Sequence, residues 1–157
     1  MDKTKIDILA TGNLLVGKGI RSIETVTMEL MKEAKKEVRI ATFSLGPGSK
    51  DIIKIIDDTL SRGVTIFLVI NHMEEQPKNI VSELNKLKKQ YPHFKLFDFN
   101  QEGERLHAKV MVFDGKKAII GSANLTWRAM VKNHEMGVLI EGDTVQSILR
   151  AVTNLMG

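Results

Sequence analysis

The sequence predicts an α/β fold: a mixed, mostly parallel β-sheet flanked by helices on both faces. Three observations predict it. Short β-branched apolar runs alternate with segments of helical periodicity. Breakers separate them, Gly46-Pro47-Gly48 and Gly63 among them. One pair of runs is joined only by Asp114-Gly115-Lys116 and reads as a hairpin, which makes the sheet mixed.

The elements follow in order. Lys5 to Ala10 predicts a strand. Ile20 to Lys36 predicts a helix, because Ile20, Ile23, Val26, Thr27, Leu30, Met31 and Ala34 recur at helical spacing. Glu37 to Phe43 predicts a strand that stops at the Gly-Pro-Gly breaker. Ser49 reads as the N-cap of a helix from Lys50 to Ser61, which Gly63 ends. Val64 to Ile70 reads as a fully buried strand. Pro77 opens a helix running to about Gln90, and Phe94 to Phe99 is a short strand. Lys109 to Phe113 and Ala118 to Ile120 form the hairpin. Leu125 to Val131 fits one or two helical turns, Gly137 to Ile140 a last strand, and Thr144 to Met156 a last helix. Repeats, low-complexity tracts and linkers are absent, so residues 1–157 are expected to form one domain.

Composition narrows the function classes. Hydrophobic residues make up 43% and charged residues 27%, the balance of a globular rather than a disordered chain. With no cysteine, disulfides and thiolate metal sites are excluded, which fits a reducing compartment. The opening MDKTKIDILATG lacks an apolar run behind a basic start, so no secretory leader is expected. The longest apolar run, Val64 to Ile70, is too short to span a bilayer, and a cytoplasmic address is expected. Lys and Arg number 23 against 19 acids, a formal +4. That suits a polyanionic partner and a merely solvated basic surface equally well.

The chemistry concentrates in LHAKVMVFDGKKAIIGSANLTW, Leu106 to Trp127. Residues two apart on a strand face one side, so His107 and Lys109 are expected to project together. The hairpin should bring Ser122 and Asn124 alongside them, at a strand end where open α/β sheets bind ligands. A lysine and an asparagine amide can hold the non-bridging oxygens of a phosphodiester. An imidazole can attack phosphorus or protonate a leaving oxygen. There is no carboxylate cluster or multi-histidine set, so metal assistance is not implied.

The pattern His107-x-Lys109-x4-Asp114-x6-Gly121-Ser122-x-Asn124 resembles the HKD motif of the phospholipase D superfamily, with its α-β-α sandwich fold. The likeness runs from about Glu37 onward. Val38 to Phe43 with Ser44-Leu45, the Asp51-Ile52 helix and Ser61-Arg62-Gly63-Val64 are similar to the first half of these domains. Asn133-His134-Glu135 ahead of the Gly137 strand is similar to the segment after the motif. That family uses two motifs per active site. His72, His93 and His134 do not begin a second one here, so the chain is most similar to small bacterial HKD nucleases that work as homodimers.

The resemblance implies a metal-independent phosphodiesterase without cofactor, acting on nucleic acid as a homodimer with a shared active site. His107 of one copy would form a phosphohistidine, and His107 of the other would protonate the leaving oxygen and then activate water. Lys109 and Asn124 would bind phosphoryl oxygens, assisted by Ser122. Glu135 stands at the position of the carboxylate that orients a catalytic histidine, though it also fits a plain strand-edge acid. Asp114 belongs to the catalytic motif, yet Asp-Gly is also an ordinary hairpin turn, and a structural role on a basic group or backbone amides is expected for it. A phospholipid phosphodiesterase or phosphatidyl transferase uses the same diester centre and stays open. So does a non-cleaving nucleic-acid-binding subunit of a larger system.

Gly12 to Lys18 fits GxxxxGK, but Gly19 stands where a nucleotide-binding P-loop needs Ser or Thr, and Leu14-Leu15-Val16 is bulky. A loop near the site mouth is expected instead, with Lys18 and Arg21 as substrate contacts. Trp127 could stack on a base or anchor the core or an interface. Lys86, Lys88 and Lys89 read as the solvated face of the Pro77 helix.

Overall fold

The computed structural model describes residues 3–46 and 50–157. Eight strands form one sheet: β1 (Lys5–Thr11), β2 (Arg21–Ser22), β3 (Glu37–Thr42), β4 (Thr65–Asn71), β5 (Phe94–Phe99), β6 (Val110–Phe113), β7 (Lys117–Gly121) and β8 (Glu135–Glu141). Their order across the sheet is β2-β1-β8-β7-β6-β3-β4-β5. Four helices pack on it: α1 (Ile23–Glu33), α2 (Lys50–Ser61), α3 (Lys78–Gln90) and α4 (Thr144–Asn154).

Helices lie on both faces, as expected. Leu9, Val38, Ile40, Ile66, Leu68, Ile70, Met111 and Ile119 face α1, α2 and α3. The alternate residues Ala41, Val69, Val112, Ala118 and Ile140 face Val145 and Val152 of α4. This is the period-two division of a strand between two cores. Burial of β4 is nearly complete, as its continuous apolar run predicts.

The sheet is mixed, as expected: six of its eight strands run one way, with β6 and β8 reversed among them. Only β3-β4-β5 and β1-β2 are parallel. The pairs β3-β6, β6-β7, β7-β8 and β8-β1 are all antiparallel. Helices α2 and α3 are the crossovers between the neighbouring parallel strands β3, β4 and β5, and the hairpin carries the antiparallel part onward. Helix α1 is also shorter than its apolar spacing predicts. Ser22 caps it by accepting the Thr25 N–H at 3.1 Å, and Ile20 precedes the cap. The Ser49 cap and the Pro47-Gly48 breaker lie outside the described residues. Arg128 to Lys132 forms a single π-turn rather than α-helix.

Strand direction decides what can meet. β1, β3, β4, β5 and β7 end at one edge of the sheet, and β6 and β8 begin there. That edge collects the segments holding His107, Lys109, Ser122, Asn124 and Glu135. The Asp114-Gly115 turn is left at the other. Among the described residues no helix is long and apolar enough to cross a membrane.

Candidate active site

His107 precedes β6 instead of lying within it, on an exposed stretch ahead of Val110. It still meets Lys109 as expected. The Lys109 Nζ lies 2.8 Å from His107 Nδ1 and donates to the His107 carbonyl at 2.8 Å. An ammonium only donates, so Nδ1 is the acceptor in that contact. Burial pushes the Lys109 ammonium below the ordinary lysine value, and the Glu135 charge pulls it partly back. A cation held this way, with desolvation only partly compensated, gains from an anionic ligand.

The partner strand delivers the next groups. Gly121 ends β7 opposite Gly137 of β8. A Cβ at Gly121 would lie 2.6 Å from the Met136 carbonyl oxygen and 2.7 Å from Gly137 Cα, so the two backbones approach as closely as only glycine allows. The chain past Gly121 is pinned by the Ser122 N–H on the Met136 carbonyl at 3.0 Å. The Ser122 hydroxyl donates to Glu135 Oε2, and Asn133 Nδ2 donates to Glu135 Oε1 at 3.2 Å. Within one chain Glu135 thus holds Ser122, not His107. Asn124 is half-buried, and its Oδ1 is buried without a hydrogen-bond partner. An acceptor left so costs about 1–3 kcal/mol.

Asp114, the third residue of the motif, stands apart from His107 and Lys109 and meets backbone amides. It sits at the far end of β6, and its carboxylate accepts the backbone N–H groups of Lys35, Lys36 and Glu37 at 2.9, 2.8 and 3.0 Å. Burial alone would raise its pKa, but the three amides outweigh burial and hold it below the ordinary value. Its φ of 52° is left-handed, which aspartate tolerates better than most residues.

Lys18 and Arg21 line a separate cleft with Lys5 to Leu9 of β1 and Leu139 of β8, and Arg21 pairs with Glu29. The Gly12 loop packs against His134, the neighbour of Glu135. A Cβ at Gly12 would come within 2.6 Å of the His134 ring. No helix follows Lys18 directly, unlike a P-loop: β2 intervenes, and α1 starts at Ile23. Trp127 is 42% exposed, so it is no core anchor, and Lys132 Nζ lies 5.4 Å over its ring.

Sequence reasoning missed Phe43. It follows β3 at the same edge, and its ring lies 5.0 Å from the His107 ring and 6.0 Å from Lys109 Nζ. Its one sequence signal is an aromatic ending a buried strand. Among the described residues, His72, Glu74 and Glu75 could converge on a cation, but both His72 nitrogens are engaged, by Glu74 and by the Glu104 carbonyl.

The arrangement puts a nucleophile or proton carrier, a cation and an amide at one edge, with a carboxylate behind. Residues 27–155 match the family described as "Cardiolipin synthase, PLD-like domain". Over 128 residues, 73% of this chain, it is 34% identical to phospholipase D Z of Dictyostelium discoideum and spans 30% of that protein's length. The fold is similar to that of the phospholipase D family member Nuc from Salmonella typhimurium, with a TM-score of 0.74, 20% identity and 98% and 93% of the two chains covered. It is also similar to NucT from Helicobacter pylori, with a TM-score of 0.69, 21% identity and 99% and 94% covered. Together with the His107–Lys109 edge, the family match over most of its length makes this chain a member of the phospholipase D-like family.

Proposed function

We propose that the protein is a metal-independent phosphodiesterase, an endonuclease cleaving DNA or RNA, that works as a homodimer with one shared site. The observation that carries this reading is the convergence of His107, Lys109, Ser122 and Asn124 on one sheet edge, with the imidazole and ammonium 2.8 Å apart. The +4 balance is compatible with a polyanion, and the similarity in fold to Nuc over 93% of that chain supports a small enzyme.

In this mechanism Lys109 and Asn124 hold the non-bridging oxygens and stabilise the charge that gathers there. A His107 nitrogen attacks phosphorus, and the bond to the leaving oxygen breaks. His107 of the second copy gives that oxygen its proton. The same second histidine then takes a proton from water. The resulting hydroxide attacks phosphorus, the N–P bond breaks, and the first histidine is restored. One imidazole cannot be both phosphorylated and the proton donor, so each copy supplies one.

Incubation with single- and double-stranded DNA and RNA in EDTA tests the chemistry. Cleavage that His107→Ala abolishes is expected, and no cleavage of any substrate across pH refutes the reading. Mixing His107→Ala with wild type tests the shared site. Activity should fall as the square of the wild-type fraction, whereas a linear decline or an active monomer rules it out.

The family description and the identity to phospholipase D Z favour a second reading, a phospholipid phosphodiesterase or phosphatidyl transferase. Headgroup release from liposomes without nuclease activity would select it. Nucleic-acid binding without turnover, unchanged in His107→Ala, would instead indicate a non-cleaving subunit.

A further inference from the structure

The segment that delivers His107 has no ladder of its own, because residues 100–109 are irregular and β6 starts at Val110. It is held from the end of β4. Asn71 closes that strand and is fully buried, and its Oδ1 accepts the Leu106 N–H at 2.9 Å, one residue before the histidine. Leu106 itself is buried in the α4-side core. The Asn71 carbonyl accepts Gln76 Nε2 at 2.6 Å, and the same Gln76 nitrogen donates to the Phe43 carbonyl at 3.1 Å. Phe43 is the residue whose ring rests 5.0 Å from His107. Two buried amides therefore fix both the backbone ahead of the imidazole and the aromatic beside it.

Packing alone does not explain an asparagine here. It ends a run of Ile66, Leu68, Val69 and Ile70 that is fully buried, and its Nδ2 is buried with no partner. Such a donor is a standing cost that an apolar residue would avoid. What an apolar residue could not do is hold the Leu106 amide. We infer that Asn71 is a positioning residue for His107, supported by Gln76, and that it fixes the direction from which the imidazole meets phosphorus. The inference rests on the reading of His107 as nucleophile and acid. Displacing a reacting group by about 1 Å can cost on the order of a hundredfold in rate.

The test compares wild type, Asn71→Ala and Gln76→Met at a temperature where circular dichroism shows each folded. It uses bis(p-nitrophenyl) phosphate as substrate and the histidine Cε1–H resonances as a second readout. In Asn71→Ala, kcat should fall at least about tenfold with KM within about twofold, the pattern of a lost transition-state alignment. The His107 resonance should shift or broaden. That of His93, whose Nε2 bonds the Leu60 carbonyl at the opposite edge, should not. Gln76→Met should show the same pattern at smaller size, and it decides the matter if Asn71→Ala fails to fold. Unchanged kcat per folded molecule together with an unmoved His107 resonance overturns the inference. If wild type itself cleaves nothing, the proposed activity fails, and the resonances alone still decide whether Asn71 positions His107.

Discussion

Replacing Asp114 with alanine removes the acceptor of three backbone N–H groups, those of Lys35, Lys36 and Glu37. At about 1 kcal/mol net per hydrogen bond the loss is about 3 kcal/mol, less whatever water recovers at this half-exposed turn. Alanine also suits the φ of 52° less well than aspartate, which adds about 1 kcal/mol. The sum is about 2–4 kcal/mol, or a fall in Tm of roughly 5–12 °C for a chain of this size. Asp114→Asn keeps one acceptor and the backbone preference, and should lose about half as much. The pH dependence has a fixed sign. The folded pKa is depressed below 3.8, so the stabilisation is present at neutral pH and lost as pH falls through the folded value. The gap in Tm between wild type and Asp114→Ala should therefore be full at neutral pH and narrow below about pH 4, leaving the backbone part, which does not titrate. Calorimetry gives Tm, and turnover well below the transition gives kcat. Because the carboxylate sits at the edge opposite His107, kcat per folded molecule should stay within about twofold. A large loss of kcat at unchanged Tm would falsify the structural assignment.

Two further perturbations probe the edge itself. His72 has both ring nitrogens on acceptors, and its pKa is raised, first by the Glu104 carbonyl and then by Glu74, against burial and the Arg105 charge. The tie it makes to the loop before His107 should be intact below the ordinary histidine value and lost as pH rises through the raised one. Hydrogen exchange at residues 104–106, corrected for intrinsic rates, should quicken with pH in wild type but not in His72→Ala, and a pH-independent wild type would contradict it. Gly121→Ala forces a Cβ to 2.6 Å from the Met136 oxygen and should cost about 1–3 kcal/mol in urea unfolding, so an unchanged midpoint would show that β7 and β8 can part freely.

Much of this edge was legible because its signals are local. Asp114-Gly115 between two apolar runs announces a hairpin, and a hairpin brings Ser122 back beside Lys109 whatever the rest of the chain does. His107 and Lys109 meet as two residues of an extended backbone must, although β6 begins later than expected. Long-range pairing left no comparable mark. Nothing in Lys5 to Thr11 says that it will lie antiparallel against β8. β2 is two residues long and has no run to read. Asn71 and Gln76 carry no local signal, because their partners Leu106 and Phe43 lie 35 and 33 residues away.

The spacing of the motif follows from the same geometry. β6 and β7 pair from Val110↔Ile120 to Phe113↔Lys117, so the distance from Lys109 to Gly121 is one hairpin. The chemistry stands at its open end and Asp114 at its turn. By holding Lys35 to Glu37, Asp114 fixes where β3 starts, and β3 pairs with β6 from Val38↔Phe113 to Ala41↔Val110. Two residues beyond Ala41 the same strand releases Phe43 against His107. A slip of one residue in that ladder would turn every β3 side chain to the other face and carry Phe43 away from the imidazole. Asp114 touches that ladder only at its start, at the edge away from His107, while the pairing of Val38 to Ala41 with β6 holds the register that seats Phe43 beside the imidazole.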